Sequence, residues 1–212
     1  MNFQEFLYAN QGEVLIDTSN LPAVLENKAS LRVQISRWVK SGKLLPLRRG
    51  LYVLAEPFRK READVFYTAS VLQRPSYVSL EKALEYFHLI PEAVHVTTSV
   101  TTKRPVKFRT ALGQYDYYHI RPGHFWGYQS VRSDRQTAFI AHPEKALLDL
   151  FYFRHRVVSR DFIAGLRLQN LQRLDIPRLL LFAKKFGKPK IIKAADILVD
   201  WIRAELREEK TL

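Results

Sequence analysis

Residues 28–49 read K-A-S-L-R-V-Q-I-S-R-W-V-K-S-G-K-L-L-P-L-R-R, with seven Lys and Arg and no Asp or Glu. The order inside this block decides the fold of the N-terminal part of the chain. Leu31, Ile35, Trp38 and Val39 recur at helical spacing and predict an apolar face on a helix over 31–41. Ser30 is its expected N-cap, and Gly42 the residue just past its end, where the chain turns left-handed. Arg32, Ser36, Arg37 and Lys40 are left on the outward face. Two short apolar runs follow, Leu44-Leu45-Pro46-Leu47 and Leu51-Tyr52-Val53-Leu54, joined at Arg48-Arg49-Gly50. They read as a two-stranded wing, and Pro46, lacking an N–H, confines its strand to an edge.

Upstream, Phe3, Phe6 and Leu7 share one helical face, and Val14-Leu15-Ile16 is a short extended run. Asp17-Thr18-Ser19-Asn20 offers helix N-cap residues, and Pro22 suits a first turn, so a further helix is expected over 20–26. Residues 1–57 therefore predict a winged helix-turn-helix domain. In such a domain a recognition helix enters the major groove of double-stranded DNA while the wing reaches flanking phosphates or a minor groove. Arg32, Ser36, Arg37 and Lys40 are the expected groove residues, Lys28 and Lys43 lie near phosphates, and Arg48 and Arg49 form the wing tip. The plainer alternative is a winged helix that makes only protein contacts.

Composition points the same way. The chain has 212 residues, 47% of them apolar, with a net charge of +13 and a pI near 10.0. It should fold into a globular protein that binds polyanions, nucleic acid before an acidic membrane surface. The absence of cysteine excludes disulfides, thiolate zinc sites and cysteine nucleophiles. Met1-Asn2-Phe3-Gln4-Glu5-Phe6 has neither a basic start nor a long apolar run, and no stretch is apolar enough to span a bilayer. A soluble cytoplasmic protein with no membrane partner is expected.

After a charged connector, residues 62–212 predict a larger mixed domain. Helices are expected over 63–72 and from Ser79-Leu80-Glu81 to Phe87, with a break at Arg74-Pro75. Strands are expected within 94–140, at Val94–Thr98, Val106–Phe108, Tyr115–Ile120 and Thr137–Ile140. A bundle follows over 143–208, with helices at 143–153, 159–168, 175–186 and 193–208, the last two separated by Gly187-Lys188-Pro189. The fold class is α+β. Basic clusters recur here: Lys103, Arg104, Lys107 and Arg109 in the strand region, Arg154 and Arg156, then Lys184 and Lys185 among the helices. They suit further phosphate contacts, or an acidic protein or an RNA; the plainer reading is solvated faces.

Chemistry is poorly represented. His88, His95, His119, His124, His142 and His155 show no metal-ligand spacing, and no phosphate-binding loop, dinucleotide fingerprint or nucleophile elbow occurs. No enzyme, metal or cofactor is expected, with a nucleic-acid-processing enzyme as the remote alternative. Glu144, Lys145 and Asp149 stand near a helix start, where capping is favoured over chemistry. Ser79 with Glu81 reads as a helix start rather than a nucleophile pair. Tyr115, Tyr117, Tyr118, Phe125, Trp126 and Tyr128 suit a sheet face and its core better than base stacking. The last helix, with Leu198, Trp201, Ile202 and Leu206, suits packing on its own domain or a dimer contact.

Four segments in order carry a resemblance: L-L-P-L-R-R-G-L-Y-V, Y-V-S-L-E-K-A-L-E-Y-F-H-L-I-P-E, T-T-S-V-T-T-K-R-P and A-H-P-E-K-A-L-L-D-L-F-Y. Together, over about residues 10–190, the chain resembles the AbiEi family, antitoxins of bacterial type IV toxin–antitoxin (abortive infection) systems. The resemblance implies an N-terminal winged helix that represses its own operon by binding inverted repeats, which two protomers, or two molecules on one site, are expected to read. It also implies a C-terminal domain that counters a nucleotidyltransferase-like toxin. By position, Ser30, Arg32, Arg37, Arg48 and Arg49 match the DNA-contacting helix and wing, and Glu144, Lys145 and Asp149 match an E-K-A-L-L-D signature. Phe87-His88 departs from the His-Gly pair of many relatives. The alternative function is a winged-helix regulator without a toxin partner.

Overall fold

The first helix, α1 (Phe3–Ala9), starts from a reciprocal cap: the Asn2 side chain accepts from the Glu5 N–H at 2.9 Å, and the Glu5 carboxylate accepts from the Asn2 N–H at 2.9 Å. The computed structural model describes residues 1–19, 28–154 and 157–208. β1 (Ile16–Asp17), α2 (Lys28–Lys40), β2 (Leu44–Arg48) and β3 (Leu51–Leu54) follow. The helix expected over 20–26 lies outside the described residues.

α2 already runs at Lys28, so Ser30 sits in its first turn and is not its N-cap. Its end follows expectation. Gly42 takes φ +72°, its N–H donates to the Val39 carbonyl at 3.0 Å, and the Lys43 N–H donates to the Trp38 carbonyl at 2.8 Å. This pair of bonds satisfies the carbonyls that the helix end leaves open.

The three strands form an antiparallel sheet in the order β1-β3-β2, with β2 at an edge, as Pro46 requires. Both faces of this sheet are covered. Ile16, Leu44 and Leu54 pack with Phe3, Phe6, Ile35 and Trp38 of the two helices. Leu15, Leu47, Leu51 and Val53 belong instead to the core of the larger unit. The alternation of side chains along a strand produces this division.

The larger unit is built on a six-stranded sheet in the order β6-β7-β5-β4-β9-β8. Its strands are β4 (Ser76–Val78), β5 (Val96–Thr101), β6 (Val106–Thr110), β7 (Gly113–His119), β8 (Tyr128–Ser133) and β9 (Gln136–Ala141). β5 runs parallel to β7 and β4 parallel to β9, while the other neighbours are antiparallel. The helices are α3 (Val65–Leu72), α4 (Leu80–Tyr86), α5 (Pro143–Phe153), α6 (Arg160–Gly165), α7 (Ile176–Phe186) and α8 (Pro189–Glu208). The whole is an α+β fold.

α3 covers one face of the sheet: the Tyr117 hydroxyl donates to the Ala69 carbonyl at 2.6 Å. α5 lies on the other, the Tyr77 hydroxyl reaching Asp149 at 3.0 Å. Leu147, Leu148 and Phe151 of α5 and Leu198 of α8 are fully buried between sheet and bundle. α8 packs on its own domain through Leu198 and Ile202.

Three elements depart from expectation. β4 and β8 are strands where none was expected, and α8 begins at Pro189 rather than 193. The break expected at Gly187-Lys188-Pro189 holds: Gly187 caps the end of α7 and Pro189 opens α8, where a missing N–H costs little. Among the described residues no helix is long and apolar enough to cross a membrane.

Candidate nucleic-acid interface

On α2, Ile35 and Trp38 are buried, so the opposite face is fixed toward solvent. Arg32, Ser36, Arg37 and Lys40 all lie on that exposed face, as does Ser30. Val33 joins them, 52% exposed. Its place in the stripe 32, 33, 36, 37, 40 was readable from helical spacing, and an exposed methyl pair beside arginines suits contact with a thymine methyl. The side chain of Lys28 lies outside the described residues.

Lys43 does not stand clear of the protein. Its ammonium lies 4.7 Å from the centroid of the Phe3 ring, a cation–π contact that ties it to α1. Arg48 also departs from expectation. Its guanidinium is turned back onto Asp17 at 3.5 Å and donates to the Arg49 carbonyl at 3.1 Å, so it braces the sheet and does not sit at the tip. Burial pushes the Asp17 carboxyl up, but hydrogen bonds from Ser19 and the Arg48 charge outweigh this and hold it below the ordinary 3.8. Arg49 remains exposed at the turn. Gly50 beside it takes φ +81°, and its carbonyl accepts from the Thr18 N–H at 2.8 Å. The turn that presents Arg49 is therefore pinned to the end of β1.

The basic residues of the larger unit do not form one surface. Lys103 and Arg104 are exposed after β5. Lys107 and Arg109 flank Asp116, at 3.2 and 2.7 Å. Burial raises the Asp116 carboxyl, and the hydrogen bonds from Arg109 and Lys107 bring it below its ordinary value. Those two cations are thus partly neutralised. The Arg154 guanidinium stacks 3.4 Å from the Phe162 ring centroid. Arg156 lies outside the described residues. Lys184 and Lys185 are exposed on α7, with the Lys185 ammonium 4.6 Å from the Trp126 ring centroid.

Glu144, Lys145 and Asp149 are not caps of α5. All three are buried, Lys145 and Asp149 completely. The Lys145 ammonium donates to Asp149 and, at 2.8 Å, to the Tyr77 hydroxyl. The Tyr77 hydroxyl and the Ser79 hydroxyl, at 3.0 and 2.8 Å, both donate to the second Asp149 oxygen. Ser79 occupies the N-cap position of α4, but its hydroxyl serves this network instead of the helix. The rings of Tyr77, Trp126 and Phe186 stand 5.1–5.3 Å from the ammonium. Gly127, at φ +76°, lets the chain pass over Lys145: an added Cβ would lie 3.1 Å from its Cγ. Burial pulls Lys145 below the ordinary lysine value and pushes Asp149 above the ordinary aspartate value, each opposed by the partner's charge. Glu144 accepts from the Asp175 N–H at 2.9 Å, so it ties α5 to the start of α7.

Among the described residues no three His, Asp or Glu side chains converge as a metal site would. The chain matches no protein-family model, and a comparison with curated proteins finds no similar sequence.

Proposed function

We propose that this chain is a DNA-binding transcriptional autorepressor whose N-terminal unit works as a winged helix, and that it serves as the antitoxin of an AbiEi-type pair. The observation that carries the first half is the exposed stripe Arg32, Val33, Ser36, Arg37 and Lys40, free of acidic residues, with Arg49 at the neighbouring turn. α2 would lie in the major groove, where arginine forks match guanine edges. Arg49 would meet the adjoining phosphates. Two protomers would read an inverted repeat one or more helical turns apart. The second half rests on the four ordered sequence segments, the last of which contains Glu144 and the buried Lys145–Asp149 pair. In this reading the protein works in the cytoplasm, is not an enzyme, and counters a nucleotidyltransferase-like toxin.

A gel-shift titration at near-physiological salt tests the DNA half, comparing the DNA upstream of the gene with a shuffled sequence. Preference of about a few hundred-fold or more supports a sequence-reading repressor. Equal binding to both rejects it. The antitoxin half is tested by co-expression with the neighbouring nucleotidyltransferase-like reading frame: rescued growth is expected, and no rescue at normal protein levels rejects it.

A further inference from the structure

We infer that the larger unit carries a second, separate site, for single-stranded nucleic acid, on the surface where the Pro122–His124 turn meets the α7–α8 junction. It rests on different residues from α2 and stands whether or not α2 reads DNA.

Three stretches without Asp or Glu, residues 117–133, 150–154 and 176–195, meet here through the rings of His124, Trp126, Tyr152, Phe182 and Phe186. His124 stacks on Phe186 with ring centroids 4.6 Å apart, and Trp126 and Tyr152 lie 5.8 and 5.3 Å from the same ring. Phe186 is buried, the other three rings are half-buried, and cations stand around them. The Lys185 ammonium lies 4.6 Å from the Trp126 ring centroid, and the Lys188 ammonium 5.9 Å from that of Tyr152. Arg121 is exposed at the start of the turn, and its charge is felt at His124 together with that of Lys188. The carboxylate whose charge acts on His124, Asp149, is buried and bonded to Lys145. Within these stretches the charged side chains are all Lys or Arg, apart from the histidines.

The rings are held in place. The Trp126 indole N–H donates to the Gly123 carbonyl at 3.1 Å, and its edge packs on Phe182 at 5.2 Å. The His124 Nδ1 is buried without a hydrogen-bond partner among the described residues. Fixed rings bordered by ammonium groups match the demands of a single strand, whose bases stack while its phosphates take the charge. A duplex keeps its base faces inside the stack and would use only the cations. An acidic protein segment would likewise leave the rings unused.

The test uses the full-length protein and a 5′-labelled oligouridine of about 12 nucleotides, within the length that such surfaces track. The strand should bind and be displaced by unlabelled oligouridine far better than by a hairpin duplex or polyglutamate. Lys185→Glu with Lys188→Glu should weaken it about tenfold or more. Arg32→Glu with Arg37→Glu should leave it within about threefold while abolishing duplex binding if α2 is the duplex reader. In the unaltered protein, a 5-iodouridine strand should photo-cross-link to the peptide containing Trp126 or Tyr152. Cross-links confined to other peptides overturn the inference, as does unchanged oligouridine affinity in the double Lys variant. Equal displacement by polyglutamate or duplex also overturns it, marking a general anion surface.

Discussion

Lys145 and Asp149 face each other one turn apart on α5, and neither side chain reaches solvent. The pair joins a helix to the sheet, because Tyr77 bonds with both groups and Ser79 of the β4–α4 corner donates to Asp149. Removing one partner leaves the other charge buried without compensation, which costs about 3–5 kcal/mol. Asp149→Ala should therefore be severely destabilised in urea unfolding. Replacing both, Lys145→Met with Asp149→Leu, should recover much of the loss. A single variant as stable as the double one would show that the pair is not coupled.

Gly127 tests the same region from the backbone. An alanine there would meet the Lys145 stem at 3.1–3.3 Å and would have to hold φ +76°. Overpacking of this kind costs about 1–3 kcal/mol. Gly127→Ala should lower the melting temperature, whereas Gly123→Ala, with open space around it, should not.

Arg48 and Arg49 are neighbours with different duties. Arg49→Ala should weaken DNA binding and flatten its salt dependence, by up to about 0.9 log units of slope for one phosphate contact, with no change in melting. Arg48→Ala removes the brace to Asp17, a partly exposed pair worth about 1 kcal/mol or less. It should lower stability slightly and spare the salt slope. Equal salt slopes for Arg49→Ala and the parent protein would remove Arg49 from the interface.

The histidines set a pH dependence. His124 and His142 are both held below the ordinary 6.5, first by burial, then by Lys188, Lys145 and Arg121 at His124 and by Arg178 at His142. Asp149 and Glu144 pull the other way without prevailing. Below 6.5 the unfolded chain then binds more protons than the folded one, so stability falls on acidification and rises with pH through this range. Melting temperatures between roughly pH 5 and 7.5 should show the rise. His124→Gln with His142→Gln should flatten it; an unchanged slope would assign the effect to other groups.

Much of this architecture is written locally. The apolar spacing of α2 and the glycine past its end specify that helix almost unaided. β8 is hidden because its hairpin turn is Asp134-Arg135, which takes φ +38° and +63° without the glycine or asparagine that advertises such a turn. β4 is only three residues long. The orientation of Arg48 follows from a register shift between Pro46 and Arg48, a bulge that no residue type announces. Lys145 and Asp149 look like an ordinary i, i+4 surface pair; their burial depends on Tyr77 and on Ser79, 70 residues earlier.

The three-stranded sheet has apolar contacts on both sides, and this governs how the protein can be cut. A fragment stopping after Leu54 would present Leu15, Leu47, Leu51 and Val53 to water at once, as a continuous greasy underside. The N-terminal unit is thus joined to the larger one through a shared apolar core. In the proposed DNA complex the larger unit would therefore set the angle at which α2 enters the groove.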